Sequence, residues 1–139
     1  MQVSKTTQMQ GWGITVLRVA TGSLFLWAAA HTLFLDFIED SSQLGSLLPI
    51  VPIIVVGKLV ELGCAAALVV GLLTRWVSVL LALLMLADIL AFHPPSGFFV
   101  EDKGFEYALL RLAASATLAL AGPGKVALDN ILAKQRGPV

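Results

Sequence analysis

Apolar residues dominate four stretches of the chain, and each stretch is long enough to cross a lipid bilayer as a helix. A spanning helix needs about 20 mostly apolar residues, because the hydrocarbon layer is about 30 Å thick and a helix rises about 1.5 Å per residue. The stretches cover residues 12–35, 50–73, 76–93 and 105–121. This pattern predicts an all-α membrane protein, folded as an antiparallel bundle of four transmembrane helices.

Short polar or helix-breaking segments separate the four stretches. The acidic and polar residues 36–42 end the first span, and residues 71–75 form a tight turn that should make the second and third spans antiparallel neighbours. Gly-Pro-Gly at 122–124 ends the fourth span. Apolar and polar residues then alternate over 125–135, which predicts a short amphipathic helix at the inner membrane interface. The pattern indicates a single domain over residues 1–139.

Composition narrows the class of protein further. Hydrophobic residues make up 58% of the chain and charged residues 13%, whereas soluble domains average about 45–50% and about 25%. Nine basic and nine acidic residues leave no net charge, so the chain lacks the basic surface that nucleic-acid binding needs. A single cysteine excludes a disulfide framework and a cysteine-based zinc site. The predicted environment is therefore a lipid bilayer, with no nucleic-acid partner.

Lysine and arginine are distributed unevenly between the two ends of the predicted bundle. Cytoplasmic loops of membrane proteins are enriched in these residues. One end carries Lys5, Arg75 and three basic residues after the fourth span, whereas the other carries Lys103 among acidic residues. Both termini are therefore predicted to be cytoplasmic. Three aromatic residues would anchor the helices at the interfaces, Trp12 and Trp76 on the inside and Tyr107 on the outside.

The first span also has a weak likeness to a cleaved signal peptide. Ala28-Ala29-Ala30 resembles a signal-peptidase site, but Arg18 interrupts the apolar run and the stretch before it is long for a charged leader. The first span is therefore interpreted as uncleaved.

Ionisable side chains inside the predicted spans are the main candidates for chemistry. Such residues are costly in lipid and usually face a bundle interior or a cavity. Glu61 lies nearest the membrane midplane, and Lys58 precedes it by one turn on the same face, so the two can pair. Two interpretations remain open, a structural ion pair that fixes helix packing and a carboxylate that accepts protons. The other ionisable groups of the outer half are His31, Asp88, Glu106 and Arg111, with His93 at its edge, while Arg18 lies in the inner half.

Three of these residues carry alternatives of their own. His31 shares a helix face with Trp27 and Ser23, and it is either a hydrogen-bonded interfacial residue or a functional group. Asp88 needs a partner on another helix or a bound proton. Arg111 either pairs with a carboxylate across the bundle or extends its side chain outward.

The second span has two further features. Cys64 lies deep in it and is interpreted as an inert core thiol. Gly63, Ala67 and Gly71 recur at every fourth residue, and this small-residue stripe predicts packing inside the bundle, with a homo-oligomer seam as the alternative. The spacing of histidines and carboxylates matches no metal-ligand motif, so no metal site is predicted.

Several segments, in order along the chain, resemble the DoxX family. Leu17–His31 resembles the first helix of that family. Gly57–Gly63 and the subsequent Gly71–Arg75 are similar to its second helix and the turn after it. Glu106–Leu110 opens the last helix in the same way, and Gly122–Asp129 resembles the family's ending.

The resemblance implies a small four-helix, multi-pass protein of the prokaryotic plasma (inner) membrane. The family takes its name from a subunit associated with a terminal quinol oxidase, and relatives resemble subunits of thiosulfate:quinone oxidoreductase; some members are linked to oxidative or thiol stress. The implied function is a membrane subunit with a quinone-linked redox role, acting with a partner oxidoreductase. Many members carry a lysine where this chain has Thr32, so a charge-based ligand contact there is not carried over.

The ionisable residues inside the predicted spans are the candidates to act on a quinone. A quinone needs an apolar slot and groups that exchange protons with its head. The sequence carries no haem, flavin or metal motif, so a partner would supply the electrons. Two alternatives are a non-catalytic membrane anchor or assembly platform for soluble redox-stress proteins, and a small-molecule transporter. The candidate proton-exchanging residues are Glu61, His31 and Asp88, and the candidate ligand-binding residues are Lys58, Arg111, Trp27, Glu106 and His93.

Overall fold

The fold was analysed in a computed structural model that describes residues 2–36, 51–92, 98–99 and 105–135. The secondary structure of this part of the chain is entirely helical. Its elements are α1 (Gln2–His31), a π-helical segment (Thr32–Asp36), α2 (Val51–Val70), α3 (Thr74–Phe92), α4 (Glu106–Ala121) and α5 (Leu128–Gln135).

Helices α1 to α4 form a four-membered ring in which each helix contacts two others. The largest contacts join α3 to α4 and α1 to α2, while α2 with α3 and α1 with α4 meet less extensively. Only the three residues 71–73 connect α2 to α3, so these two helices run antiparallel, as the sequence predicts. Along α1, Arg18 reaches the segment that follows α4 and Phe25 lies near Arg111, so α1 and α4 also run in opposite directions.

The core of the bundle receives side chains from all four helices of the ring. Its fully or almost fully buried members are Phe25, Ala65, Leu68, Leu81, Met85 and Leu118. The outer surface of the helices is also apolar. Leu120, for example, is 84% exposed and Trp76 is 77% exposed. Contiguous exposed apolar surface of this kind is typical of protein that lipid covers.

Within the described residues, two stretches are long and apolar enough to cross a membrane, Gln8–Phe34 and Thr74–Ala91. Over the most apolar 18 residues of each stretch, 33% of the first and 22% of the second is buried inside the bundle, whereas the core helix of a water-soluble protein is mostly buried. Helix α4, with 16 residues, is shorter than these two stretches. The all-helical prediction is confirmed for the described residues, while four spans and cytoplasmic termini stay predictions.

Helices α1 and α2 approach each other closely at Gly22. A Cβ atom at this position would lie 2.8 Å from Val69 Cγ2 and 3.1 Å from the Val69 backbone nitrogen. The small-residue stripe of α2 does not make this contact. Gly63 is exposed, and no atom outside its own helix backbone lies within 4 Å of where its Cβ would lie, so the prediction that the stripe packs inside the bundle is wrong at this position. Gly71 does pack closely, since it is buried and a Cβ there would overlap the guanidinium of Arg18.

Element boundaries follow the predicted ones closely, with three differences. Helix α1 begins ten residues before the expected span, at Gln2, because a span prediction marks the apolar stretch and not the helix that extends beyond it. Its last turn is π-helical. Helix α5 begins at Leu128 and not at residue 125, because residues 122–127 are used in contacts with α1.

Candidate functional site

A groove of about 380 Å³ lies between α2 and α3 and contains three of the predicted site residues. Helices α2 and α3 are joined by the turn at 71–73. We call the end of the bundle that contains this turn the turn end. The groove occupies the half away from it, which we call the far half. Lys58 and Glu61 contribute from α2 and Asp88 from α3. The remaining lining residues are Ile53, Gly57, Leu84, Met85, Ala87 and Ala91.

Lys58 and Glu61 form an ion pair on the wall of this groove. Lys58 Nζ donates a hydrogen bond of 2.8 Å to Glu61 Oε2. Helical geometry brings the two residues together, since side chains three apart share a face. The Glu61 side chain is only 4% exposed and the Lys58 side chain 24%, so the carboxylate is the buried member of the pair.

The second carboxylate oxygen of Glu61 is the most unusual atom in the groove. Oε1 is buried and has no hydrogen-bond partner in the described part of the chain. Most buried polar atoms in proteins are hydrogen-bonded, and a buried acceptor without a partner is costly. Such an atom at the wall of a cavity is suited to receive a hydrogen bond from a bound molecule.

The other predicted site residues lie elsewhere. Trp27 is 74% exposed and His31 is also exposed, so the face that they share points away from the bundle core and not into the groove. Glu106 opens α4, where its backbone nitrogen donates to Phe98 O at 3.1 Å, and it does not line the groove. His93 lies outside the described residues.

Arg111 takes a position that the sequence did not indicate. Its guanidinium carbon lies 5.5 Å from the centre of the Phe25 ring, which is a cation–π contact between α4 and α1. The expected alternatives were a carboxylate partner or an outward extension. The described contact is instead with an aromatic face in the core.

A second polar cluster lies at the turn end and centres on Arg18. This arginine is 3% exposed. Its Nη1 donates to Pro123 O and its Nη2 to Val126 O, both at 2.6 Å. The two branches of the guanidinium thus join α1 to the segment between α4 and α5.

Asp129 completes this cluster by capping α3 from a distant part of the chain. Its two carboxylate oxygens accept hydrogen bonds from the backbone nitrogens of Leu73 at 2.7 Å and Thr74 at 2.9 Å. Partial burial acts to raise the pKa of Asp129, but the hydrogen bonds from Thr74 and Leu73 and the charge of Arg18 outweigh it and hold that pKa below its ordinary value of 3.8. The cluster closes one end of the bundle.

The sequence analysis identified Arg18 as a break in the apolar run and as the charged residue of the inner half, and it did not single out Asp129. The side-chain oxygen of Thr74 is buried, and the cap on α3 comes from Asp129. No local spacing relates residues 55 positions apart. For the same reason, a pattern-based search could not have found this cluster.

Two smaller features bear on the chemistry of the described residues. Cys64 is a free cysteine of intermediate burial beside the core. No group of three or more histidine, cysteine or carboxylate side chains in the described ranges is arranged to hold a metal ion.

The chain was compared with known families, curated proteins and solved structures. The sequence model of the DoxX family matches residues 13–94, which is more than half of the chain. The matched range includes Lys58, Glu61 and Asp88, and therefore every polar side chain of the groove. No curated protein and no solved structure matches the chain.

Proposed function

The chain belongs to the DoxX family of membrane proteins, and from this premise we propose that it is a multi-pass subunit with a quinone-linked redox role. Its location is the prokaryotic inner membrane, with both termini and the turn end on the cytoplasmic side. The observation that carries the proposal is the groove between α2 and α3, where an ion pair and a second carboxylate lie among apolar walls.

The size and chemistry of the groove suit a quinone head group. Binding sites for small molecules have volumes of about 300–1,000 Å³ and combine mostly apolar walls with a few polar groups. The groove has a volume of about 380 Å³ and, on α2 and α3, apolar residues surround Lys58, Glu61 and Asp88. The buried Glu61 Oε1 supports this assignment, because a ligand hydroxyl would supply the hydrogen bond that it lacks.

Three side chains would hold and serve the head group. A bound quinone supplies two-electron, two-proton chemistry. Lys58 keeps Glu61 in place through its hydrogen bond to Oε2, which leaves Oε1 to accept a proton from a ligand hydroxyl or return one to a ligand oxygen. Asp88 lines the groove from α3, and Leu84 and Met85 beside it are apolar lining residues that the ring of a quinone would contact.

The electrons are assigned to a partner. Because the sequence carries no haem, flavin or metal motif, we place electron exchange in a separate oxidoreductase subunit that meets the quinone in or near the groove. This division makes the chain a subunit that binds the quinone and handles its protons.

The test is the quinone content of the protein purified in native-lipid nanodiscs. We expect the wild type to hold close to one quinone per protein. Glu61→Gln and Gly57→Leu should both lower that ratio by about tenfold, a loss of the size expected for one charge-assisted hydrogen bond or for a filled site. At Gly57 the first atom of the new side chain meets open space, since nothing outside its own helix backbone lies within 4 Å of the added Cβ.

Gly63→Leu is the matched control for this experiment. It lies on the same helix, has the same open space at Cβ and does not line the groove, so its quinone content should equal that of the wild type. A wild-type content no higher than that of the surrounding membrane would contradict the proposal. The anchor or assembly platform for redox proteins would then be the better interpretation.

A further inference from the structure

A second groove lies between α3 and α4 and takes no part in the proposed function. It has a volume of about 370 Å³ and shares no lining residue with the groove between α2 and α3. From its apolar walls and the arginine at one end of it, we infer that this groove binds an acyl chain of an anionic phospholipid, whose phosphate is held by Arg75. We call it the lipid groove.

The walls of the lipid groove are entirely aliphatic. Its eight lining residues are leucines, alanines and one valine, and they include Val79 and Leu86 on α3 and Ala116 and Leu120 on α4. The three alanines leave room between the longer side chains. Such walls offer no hydrogen bond to a polar ligand, but the methylene groups of a lipid tail gain dispersion contacts along them.

Arg75 lies at the turn end of the lipid groove. It precedes Val79 by four residues and Leu86 by eleven, so the three side chains share one face of α3. Helical side chains tilt towards the N-terminus of their helix, which for α3 is the turn end. The guanidinium also reaches α4, because its Nε lies 3.3 Å and its Nη2 3.6 Å from where a Cβ of Gly122 would lie. Arg75 therefore bridges the ends of the two helices that form the groove.

The guanidinium of Arg75 is available to a ligand. The residue is exposed, and it has no hydrogen-bond or ion-pair partner among the described residues. Arginine presents its N–H donors in a planar fork that matches two oxygens of a phosphate. A lipid phosphate at this point would supply the acceptor while its acyl chain lies in the groove.

The charge around Arg75 favours an anionic head group over a zwitterionic one. Lys125, in the segment after α4, and Lys134, on α5, are also exposed. In the described segments of the turn end, Asp129 is the only acidic residue, and both its oxygens already accept backbone hydrogen bonds. A choline or ethanolamine group would add a positive charge to this cationic surface, whereas a glycerol head group adds none.

The length of the lipid groove matches one leaflet of a bilayer. The eleven residues from Arg75 to Leu86 span about 16 Å along α3, and the hydrocarbon of one leaflet is about 15 Å thick, half of the full layer. Trp76, next to Arg75, is 77% exposed, and tryptophan is enriched at the level of the head groups. A lipid whose phosphate meets Arg75 would therefore lay its chain along the whole groove.

The test is native mass spectrometry of the full-length protein in detergent, which counts bound lipids one at a time. The protein is titrated with phosphatidylglycerol and with phosphatidylcholine of the same acyl chains. We expect the first phosphatidylglycerol to bind about fivefold more tightly than the first phosphatidylcholine, the ratio that corresponds to one arginine at a charged membrane surface.

Two variants each remove one half of the site. Arg75→Gln removes the charge and should reduce the preference to within about twofold, while Arg75→Lys should keep most of it. Ala116→Leu fills the groove and should lower the affinity for phosphatidylglycerol to the wild-type value for phosphatidylcholine. Because Ala116 is exposed and lines the groove, this variant keeps the test valid if Arg75→Gln does not fold.

Each variant has a matched control outside the lipid groove. Lys134→Gln removes another exposed cation, and Ala66→Leu adds the same side chain at an exposed position of α2. Both should keep the full preference for phosphatidylglycerol.

Three outcomes would overturn the inference. The first is equal binding of the two lipids by the wild type, which would leave the groove to lipid tails of any kind. The second is a loss of preference in Lys134→Gln as large as that in Arg75→Gln, because the general positive charge would then explain it. The third is a dimer that forms without lipid and dissociates in Ala116→Leu, which would assign the groove to a second copy of the chain.

Discussion

Two ionisable residues in the bundle interior have very different hydrogen-bond partners. Both terminal nitrogens of Arg18 donate to backbone carbonyl oxygens, a geometry that suits the planar fork of a guanidinium. Glu61 is bonded through one oxygen, while the other is buried without a partner in the described chain. Arg18 Nε is also buried without a partner in the described chain, but of the two residues only Glu61 lines the groove between α2 and α3. We therefore regard the arginine as a structural residue and the glutamate as the residue prepared for a ligand.

Asp129 makes the stability of the turn end depend on pH. Its pKa in the folded protein lies below the ordinary value of 3.8, so its contribution is fully present above pH 3.8 and is lost as the pH falls through the lower folded value. Asp129→Asn should lower the melting temperature in detergent by a constant amount between pH 5 and 8, roughly, and this difference should shrink below about pH 4.

Asn130→Ala is the control for that pH series. Asn130 donates to the backbone oxygens of Gly124 and Lys125 at 2.9 and 3.1 Å, and an amide does not titrate over this range. Its destabilisation should therefore stay the same throughout. A difference between Asp129→Asn and wild type that persists unchanged at pH 3 would contradict the assigned role of the carboxylate.

The residue scale also shows where sequence reasoning succeeds and where it stops. The pair of Lys58 and Glu61 was predictable, because three-residue spacing on a helix fixes its geometry. The convergence of Glu61 and Asp88 in one groove was a weaker expectation that depended on depth in the membrane. The partners of Arg18 and Asp129 could not be predicted from the sequence. They are backbone atoms of distant segments, and every residue type presents the same backbone groups.

Among the elements, the contact between α1 and α2 depends most on a single position. Gly22 is buried, and its missing side chain allows α1 to approach the backbone of α2 near Val69 and Ala65. Small residues permit such close contacts in membrane bundles. Apolar periodicity predicted the helices themselves. Among the glycines, the sequence analysis singled out the stripe of Gly63, Ala67 and Gly71 and not Gly22, because a glycine that permits close packing and one that faces outward look alike in sequence.

These two glycines should respond in opposite directions to the same substitution. Gly22→Ala places a methyl group 2.8 Å from Val69 Cγ2 and should destabilise the protein by about 1–3 kcal/mol through overpacking. Gly63→Ala meets open space and should stabilise it by about 0.5–1 kcal/mol, because alanine has less freedom to lose on folding. Thermal unfolding in detergent measures both.

A result in which both alanine variants shift the melting temperature in the same direction would contradict the assigned close approach. Gly22→Ser offers an intermediate case, since it adds the same Cβ with a small polar group. It should destabilise at least as much as the alanine variant does.

At the scale of the whole molecule, the bundle divides into a closed end and an open side. Arg18 and Asp129 tie α1, α3 and the segment before α5 together at the turn end. In the other half, α2 and α3 are separated by the groove. The four-helix arrangement was predictable from the apolar stretches and their breaks, whereas this division arises from contacts between distant segments.

The proposed topology predicts which positions an impermeant thiol reagent can reach. In a Cys64→Ser background, Gln8→Cys and Lys134→Cys should be labelled in inverted membrane vesicles and protected in intact cells. Glu101→Cys, in the loop between the third and fourth predicted spans, should show the reverse pattern. Labelling of positions 101 and 134 from the same side would contradict four spans with both termini cytoplasmic.

The cap on α3 has a consequence for how the protein is made. Thr74 is synthesised 55 residues before Asp129, and at about 5–20 residues per second the ribosome needs roughly 3–11 s to cover that distance. During this interval the nascent chain contains the first turn of α3 but not the Asp129 carboxylate that caps it. The interval between the synthesis of Arg18 and that of its partners Pro123 and Val126 is longer still. The end of the bundle that encloses these residues is therefore the last part to be completed during translation.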